Sequence, residues 1–338
     1  MKKYKVYGIG AALVDTEIKV EDHDLAAMAV DKGLMTLVDE ERQQALLSHL
    51  KDHLVSASHA SGGSAANTII AVALFGGSSF MTCKVAQDAY GDIYLADLES
   101  SGVDHCLNNG KVREDGVTGK CLVLITPDAE RSMNTYLGIS DTLSVEQLDA
   151  AAIADSEYLY IEGYRVTSPS SLGAAVRSRE LAEAAGVKTA LSFSDPGMVK
   201  FFREGMKEII GDRLDLIFCN EDEALGWAET DSMDVAIDAL KKIASTFAIT
   251  LGAKGALVYN GEELLEIAPR KVSAIDTNGA GDMFAGAFLY SITRGEDFET
   301  AGRFACLAAS ETVSRYGPRL DKDDYAALTS SFYGDQAG

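Results

Sequence analysis

The sequence is short of basic residues, of proline and of paired cysteine, and each shortage removes a class of protein. Lys and Arg number 30 against 52 Asp and Glu, a net charge of −22 at pH 7. Nucleic acid and anionic membrane surfaces attract a basic face, so neither is expected as a partner. A small anionic ligand remains allowed, because backbone N–H groups at a helix start hold phosphate without Lys or Arg. Five prolines in 338 residues are few for a chain with long disordered linkers. The five cysteines (Cys83, Cys106, Cys121, Cys219 and Cys306) are odd in number and contain no C-x-x-C. That argues against a disulfide framework or a zinc site and for reduced, mostly buried thiols in a cytoplasmic protein. No apolar run approaches the ~20 residues of a membrane helix. Lys2, Lys3 and Lys5 precede an apolar stretch, Val6 to Val14, but Gly8 and Gly10 interrupt it and acidic residues follow. It reads as a first buried strand rather than a signal peptide.

What remains is a globular composition, 47% hydrophobic and 24% charged, long enough for one large α/β domain or two ordinary ones. Short β-branched or aromatic runs recur at Lys5–Ile9, Ser79–Val85, Glu157–Ile161, Lys188–Phe193, Leu214–Cys219, Phe247–Leu251 and Ala256–Tyr259. Helical patterns alternate with them, at Ala65–Phe75, Gly91–Ser101, Ser171–Ala185, Glu221–Trp227 and Val235–Ala244. Such alternation predicts a three-layer α/β/α fold around a mostly parallel sheet. Thr16–Val20, Thr118–Thr126 and Arg131–Leu137 instead alternate polar and apolar residues. They read as antiparallel strands with one wet face, forming a small β-sheet lid over a cleft. The expected division is a core of residues 1–13, 41–105 and 141–338 and a lid of residues 14–40 and 106–140.

Four strings carry chemistry. Asp276-Thr277-Asn278-Gly279-Ala280-Gly281-Asp282 precedes an apolar helical run. Glycines feeding a helix N-terminus present free amides and a favourable dipole to an anion. Asp282 beside them is placed to take a proton from a hydroxyl. An anion cradle next to a base is what phosphoryl transfer to an alcohol requires. Ser61-Gly62-Gly63-Ser64-Ala65-Ala66-Asn67 opens another helix; Gly62 and Gly63 let a ligand approach the backbone, and Asn67 can donate to and accept from hydroxyls. Asn220-Glu221-Asp222-Glu223 follows a strand, where a parallel sheet binds ligands. Asn220 and Glu223 there can organise a hydrated Mg²⁺, or the string is simply an acidic helix N-terminus favoured by the dipole. Thr250-Leu251-Gly252-Ala253-Lys254-Gly255 offers small residues under a nucleotide, although no P-loop string occurs in the chain.

Together and in this order these strings resemble the ribokinase-like carbohydrate kinases, the PfkB family, over nearly the whole chain. The D-T-x-G-A-G-D signature is complete at Asp276–Asp282, and the early G-G-x-x-x-N at Gly62–Asn67. The resemblance implies a kinase that moves the γ-phosphoryl group of ATP, with Mg²⁺, to a sugar or nucleoside hydroxyl. By it Asp282 is the base and Gly279, Ala280 and Gly281 the anion hole. Asp15, Gly62, Gly63 and Asn67 would grip the acceptor. Asn220, Thr250, Gly252, Gly255, Thr277 and Asn278 would line the ATP site, and Asn220 and Glu223 would place Mg²⁺ through water. Arg131 on the lid would approach the phosphates, and Asp276 with the Ser314–Gly317 turn would hold a monovalent cation such as K⁺.

Several strings look most like adenosine kinases and their bacterial relatives, among them Arg131–Gly138 and Ile161-Glu162-Gly163-Tyr164. Tyr136 and Tyr164 then become substrate-facing rings. Two departures stand out: Ala86-Gln87-Asp88 lacks the usual glycine, and Arg165 replaces a second aromatic after Tyr164, where it could stack on a purine. The expected partner is a small sugar or nucleoside, and the chain a monomer or a homodimer. A dehydrogenase is disfavoured because the third position of its glycine motif is Leu13. A non-catalytic sensor is disfavoured because the base and both anion-hole glycines are present.

Overall fold

The computed structural model describes residues 2–51, 58–128 and 130–334. Among them fourteen strands form two sheets. In chain order these are β1 (Tyr4–Ile9), β2 (Leu13–Lys19), β3 (Met35–Leu37), β4 (Ser58–Gly62), β5 (Ser79–Thr82), β6 (Val103–His105) and β7 (Gly119–Ile125). There follow β8 (Arg131–Tyr136), β9 (Ser156–Glu162), β10 (Lys188–Ser192), β11 (Leu214–Asn220), β12 (Ala244–Thr250), β13 (Ala256–Tyr259) and β14 (Leu264–Ile267).

The large sheet has nine strands in the order β14-β13-β12-β11-β10-β9-β1-β5-β6. Its strands run parallel from β12 to β6, and β13 and β14 close one edge as an antiparallel meander. Period-two alternation sends neighbouring residues to opposite faces. Along β9, Tyr158 and Tyr160 join a core with Ile69, Phe284 and Phe304 from the helices Ser64–Leu74, Ala280–Thr293 and Phe298–Val313. Leu159 and Ile161 join the opposite core with Ala174, Ile209 and Leu240 from the helices Pro169–Ala184, Arg203–Ile210 and Met233–Ile243. Each large apolar side chain so buried contributes about 1.5–3 kcal/mol. The three-layer expectation is met.

The small sheet has the order β3-β8-β7-β2-β4. It differs from expectation in three ways. β2 and β7 pair parallel rather than antiparallel, while β7–β8 and β2–β4 are antiparallel. Neither face is left wet. Ile18, Leu122 and Leu124 lie against Leu25 and Leu46 of the covering helices Asp22–Ala27 and Glu40–His49; the other face, with Cys121, Val123 and Ile125, turns to the large domain. Finally, β4 falls within residues 41–105, the stretch assigned to the core. Strands β2, β3 and β4 follow one another with no large-sheet strand between them, so the chain enters the small sheet twice, and the strand that ends at Gly62 belongs to that sheet.

Candidate active site

The helix Ala280–Thr293 starts from Gly279, whose φ is +71°. A Cβ there would sit 2.2 Å from the Pro318 carbonyl oxygen, so only glycine makes this turn. Among the described residues no protein acceptor receives the amides of Gly279, Gly281 or Asp282, and Ala280 makes only a long 3.4 Å bond to the Thr277 carbonyl. The helix start therefore keeps donors to offer an anion.

Asp282 stands in the first turn and is held from the facing helix. Ser64 Oγ donates to Oδ1 at 2.6 Å and Asn67 Nδ2 to Oδ2 at 3.0 Å. Burial pushes its pKa up to about 6 against those two hydrogen bonds, and the Glu162 carboxylate adds to the rise. Across from it, Asp15 projects from β2. Burial, then Glu17 and Asp282, push Asp15 up to about 7, opposed by Arg319 and Arg131. Gly62 makes the room: a Cβ there would lie 2.1 Å from Asp15 Oδ1.

These groups meet in a cleft of about 300 Å³ between the sheets. Of the residues expected from sequence it is lined by Asp15, Gly63, Asn67, Tyr164, Asn220, Glu223, Thr250, Asn278, Gly279, Gly281 and Asp282. Met133, Cys121, Ser64, Ser192 and Ser194 line it as well. Ser64 lay inside the glycine string and could have been read from it. Met133 and Cys121 carry no chemical signature and follow only from strand parity: Asp15 pairs with Cys121 across β2–β7, and Met133 with Val123 across β7–β8.

The same parity removes Tyr136. It pairs with Lys120, on the face of Leu122 and away from the cleft; burial and Glu40 raise its pKa. It is not a substrate-facing ring here. Arg131 faces the cleft side but is engaged by carboxylates, at Asp276 and, 3.3 Å away, at Glu17. Asp276 is fully buried, and its carboxylate also accepts from the amides of Gly317 at 2.7 Å and Asn278 at 2.9 Å. The Asp276 carboxylate is thus occupied by a guanidinium and two amides, while the monovalent cation is expected on carbonyls around Asp276 and Ser314–Gly317. Arg165 does not stack on a ligand either. It is fully buried, 3.4 Å from Glu162 and 3.3 Å from Ser171 Oγ.

At the end of β11, Asn220 and Glu223 close a capping box. Asn220 Oδ1 accepts from the Glu223 amide at 2.8 Å, and Glu223 Oε2 from the Asn220 amide at 2.9 Å. Burial pushes Glu223 up to about 8, with Asp195 and Asp222 adding to it. Thr250 lies beside Asn220 in register across β11–β12. Gly252 and Gly255 bound the tight turn after it, both at positive φ, and Thr277 is exposed. Asp88 keeps a structural task despite the missing glycine. It caps the helix Ala89–Ser100 through the Gly91 amide at 2.8 Å and accepts from Thr118 of the lid loop at 2.6 Å.

Comparison with known proteins agrees with this geometry. The model of the pfkB family of carbohydrate kinases matches residues 18–324. The adenosine kinase of Saccharomyces cerevisiae is 28% identical over 92% of this chain and 95% of its own length. The solved adenosine kinase of Sinorhizobium meliloti is 33% identical with a TM-score of 0.89, over 99% of this chain and all of the other. A probable sugar kinase of Rhizobium etli is 32% identical with a TM-score of 0.90, over 98% and 100%. These matches make the protein a phosphotransferase with a hydroxyl acceptor, a nucleoside or sugar kinase with ATP as co-substrate. The chain belongs to the pfkB carbohydrate kinase family. Among the described residues no helix is long and apolar enough to cross a membrane.

Proposed function

We propose that the chain phosphorylates a hydroxyl of a nucleoside, adenosine-like in shape, with Asp282 as general base and the Gly279–Gly281 amides as the anion hole. The observation that carries this is the juxtaposition of a buried carboxylate, oriented by Ser64 and Asn67, with the unpaired amides of Gly279 and Gly281 in the same cleft. Asp282 accepts the proton of the attacking hydroxyl, and the amides take up charge on the phosphoryl oxygens. Asp15 and Asn67 face the acceptor and suit the paired hydroxyls of a ribose. Tyr164 and Met133 present flat and adaptable surfaces for a ring beyond it. The lid sheet shuts water away from the reacting atoms.

Among the described residues no group of three or more acidic, His or Cys side chains is placed to hold a metal. That suits Mg²⁺, which keeps its waters and binds mainly through phosphates. Glu223, buried beside Asp195 and Asp222, would face it, and the ion would supply charge neutralisation on the phosphates. A monovalent cation would rest on carbonyls around Asp276 and the Ser314–Gly317 turn; comparing turnover in potassium and in a large organic cation tests this.

The acceptor is tested by calorimetric titration of adenosine, ribose and fructose in turn, followed by turnover with Mg-ATP. Adenosine is expected to bind tightest and turn over fastest. Preference for ribose or fructose would move the chain to the sugar kinases, and no transfer to any acceptor would leave a sensor.

A further inference from the structure

The tripeptide Gly317-Pro318-Arg319 touches both halves of the cleft. Gly317 donates its amide to Asp276 Oδ2 at 2.7 Å, at the root of the glycine loop. Pro318 is buried and lies so close to Gly279 that a Cβ on that glycine would meet its carbonyl oxygen. Arg319 reaches the other way. Its Nη2 donates to the Ser61 carbonyl oxygen at 3.0 Å and to Asp97 Oδ2 at 2.7 Å, and Ser61 Oγ donates to the same Asp97 oxygen. Ser61 pairs with Val14 across β4–β2, one residue from Asp15 and from Gly62. A single guanidinium nitrogen thus joins the helix Ala89–Ser100 to β4, the strand beside Asp15, and its residue follows the turn under the anion hole. Both bonds leave one nitrogen, Nη2, whose two N–H vectors are fixed in the guanidinium plane, whereas a Lys ammonium turns freely.

We propose that Arg319 is a positioning residue: with Gly317 and Pro318 it straps the anion hole to the acceptor strand, so that filling either one raises the affinity of the other. This rests on the acceptor and phosphate sites proposed above. The strap makes no contact with reacting atoms. It acts on where Gly279 and Asp15 stand, and a linkage of this kind must be reciprocal.

The test uses the full chain and the variants Arg319→Met, Arg319→Lys and Asp97→Asn. Adenosine is titrated calorimetrically with and without a non-hydrolysable ATP analogue and Mg²⁺, and the analogue with and without adenosine. In the unaltered protein each ligand is expected to tighten the other by the same factor. Arg319→Met should cut that factor about tenfold, within the usual span of coupling between sites. At saturating levels of one substrate it should raise the KM of the other more than it lowers kcat, with Arg319→Lys recovering part of the loss and Asp97→Asn losing less. An unaltered protein without mutual tightening, or an Arg319→Met variant that keeps it, overturns the strap.

If no nucleoside or sugar binds the unaltered protein, the acceptor reading fails, and amide exchange in the ligand-free protein still decides the strap. Arg319→Met must then speed exchange in residues 276–282 and 61–64 together; a change in one segment alone, or in neither, overturns it. If Arg319→Met does not fold, Arg319→Lys and Asp97→Asn carry the same measurements.

Discussion

The two sheets of this molecule divide the work. The nine-stranded sheet buries both faces in apolar cores, and residues at the ends of its strands, such as Asn220 and Thr250, line the cleft. The five-stranded sheet buries one face beneath two helices and turns the other, with Asp15, Glu17, Cys121, Met133 and Arg131, toward the cleft. In the first sheet the buried strand residues are mainly apolar; in the second, Asp15, Glu17 and Arg131 stand within strands on the cleft side. On the proposed reading, the large domain carries the base and the anion hole, and the small sheet carries the groups that choose the acceptor.

The sharpest way to break this comparison is at the rigid side. Asp282→Asn should lower turnover by ~10² to 10⁴, the span of a lost acid–base group, with a much smaller effect on ATP affinity in steady-state kinetics. Retained turnover would refute the base. On the lid side, Asp15→Asn should act on kcat/KM for the acceptor, by about 10- to 150-fold for the loss of charged hydrogen bonds worth ~1.5–3 kcal/mol, while leaving the KM for ATP near its original value.

The pH dependence sharpens the same contrast. Asp282 must be ionised to act, so kcat/KM should rise with pH through about 6, and that limb should vanish in Asp282→Asn. Stability runs the other way. Asp15, Asp282 and Glu223 hold protons more tightly folded than unfolded, with pKa values near 7, 6 and 8. The folded state therefore binds more protons between the unfolded carboxylate range and about pH 8, and stability falls as pH rises through that window. Thermal melts of the ligand-free protein should show a lower Tm at pH 8 than at pH 5.5, and Asp282→Asn should raise Tm at pH 8. A smaller effect separates the two faces of β8. Met133→Ala should raise the acceptor KM, whereas Tyr136→Phe should change it by less than about threefold, as for a site remote from the ligand.

The large sheet was legible because buried parallel strands are unbroken apolar runs between helical patterns. The glycine strings were legible because close approach of the backbone to an anion demands small residues at fixed spacing. The lid was harder to read. β3 has three residues and β4 five, too short for periodicity to register, and the parallel pairing of β2 with β7 joins segments about a hundred residues apart. Tyr136 was misread because a one-residue step along a strand exchanges faces, and only the pairing register fixes which face meets the cleft. Arg165 was misread because its partner, Glu162, appears polar in sequence and is 1% exposed in the fold.

That buried pair also limits how the enzyme can be retuned. Glu162 accepts the amides of Ala11 at 3.2 Å and Ala65 at 3.0 Å, and Arg165 balances its charge from behind. Exchanging Arg165 for an aromatic would strand a carboxylate in the interior, a change costing several kcal/mol. Repacking is therefore closed at that buried pair and open at Met133 and Cys121, which line the cleft and where one apolar side chain can replace another without leaving a charge behind.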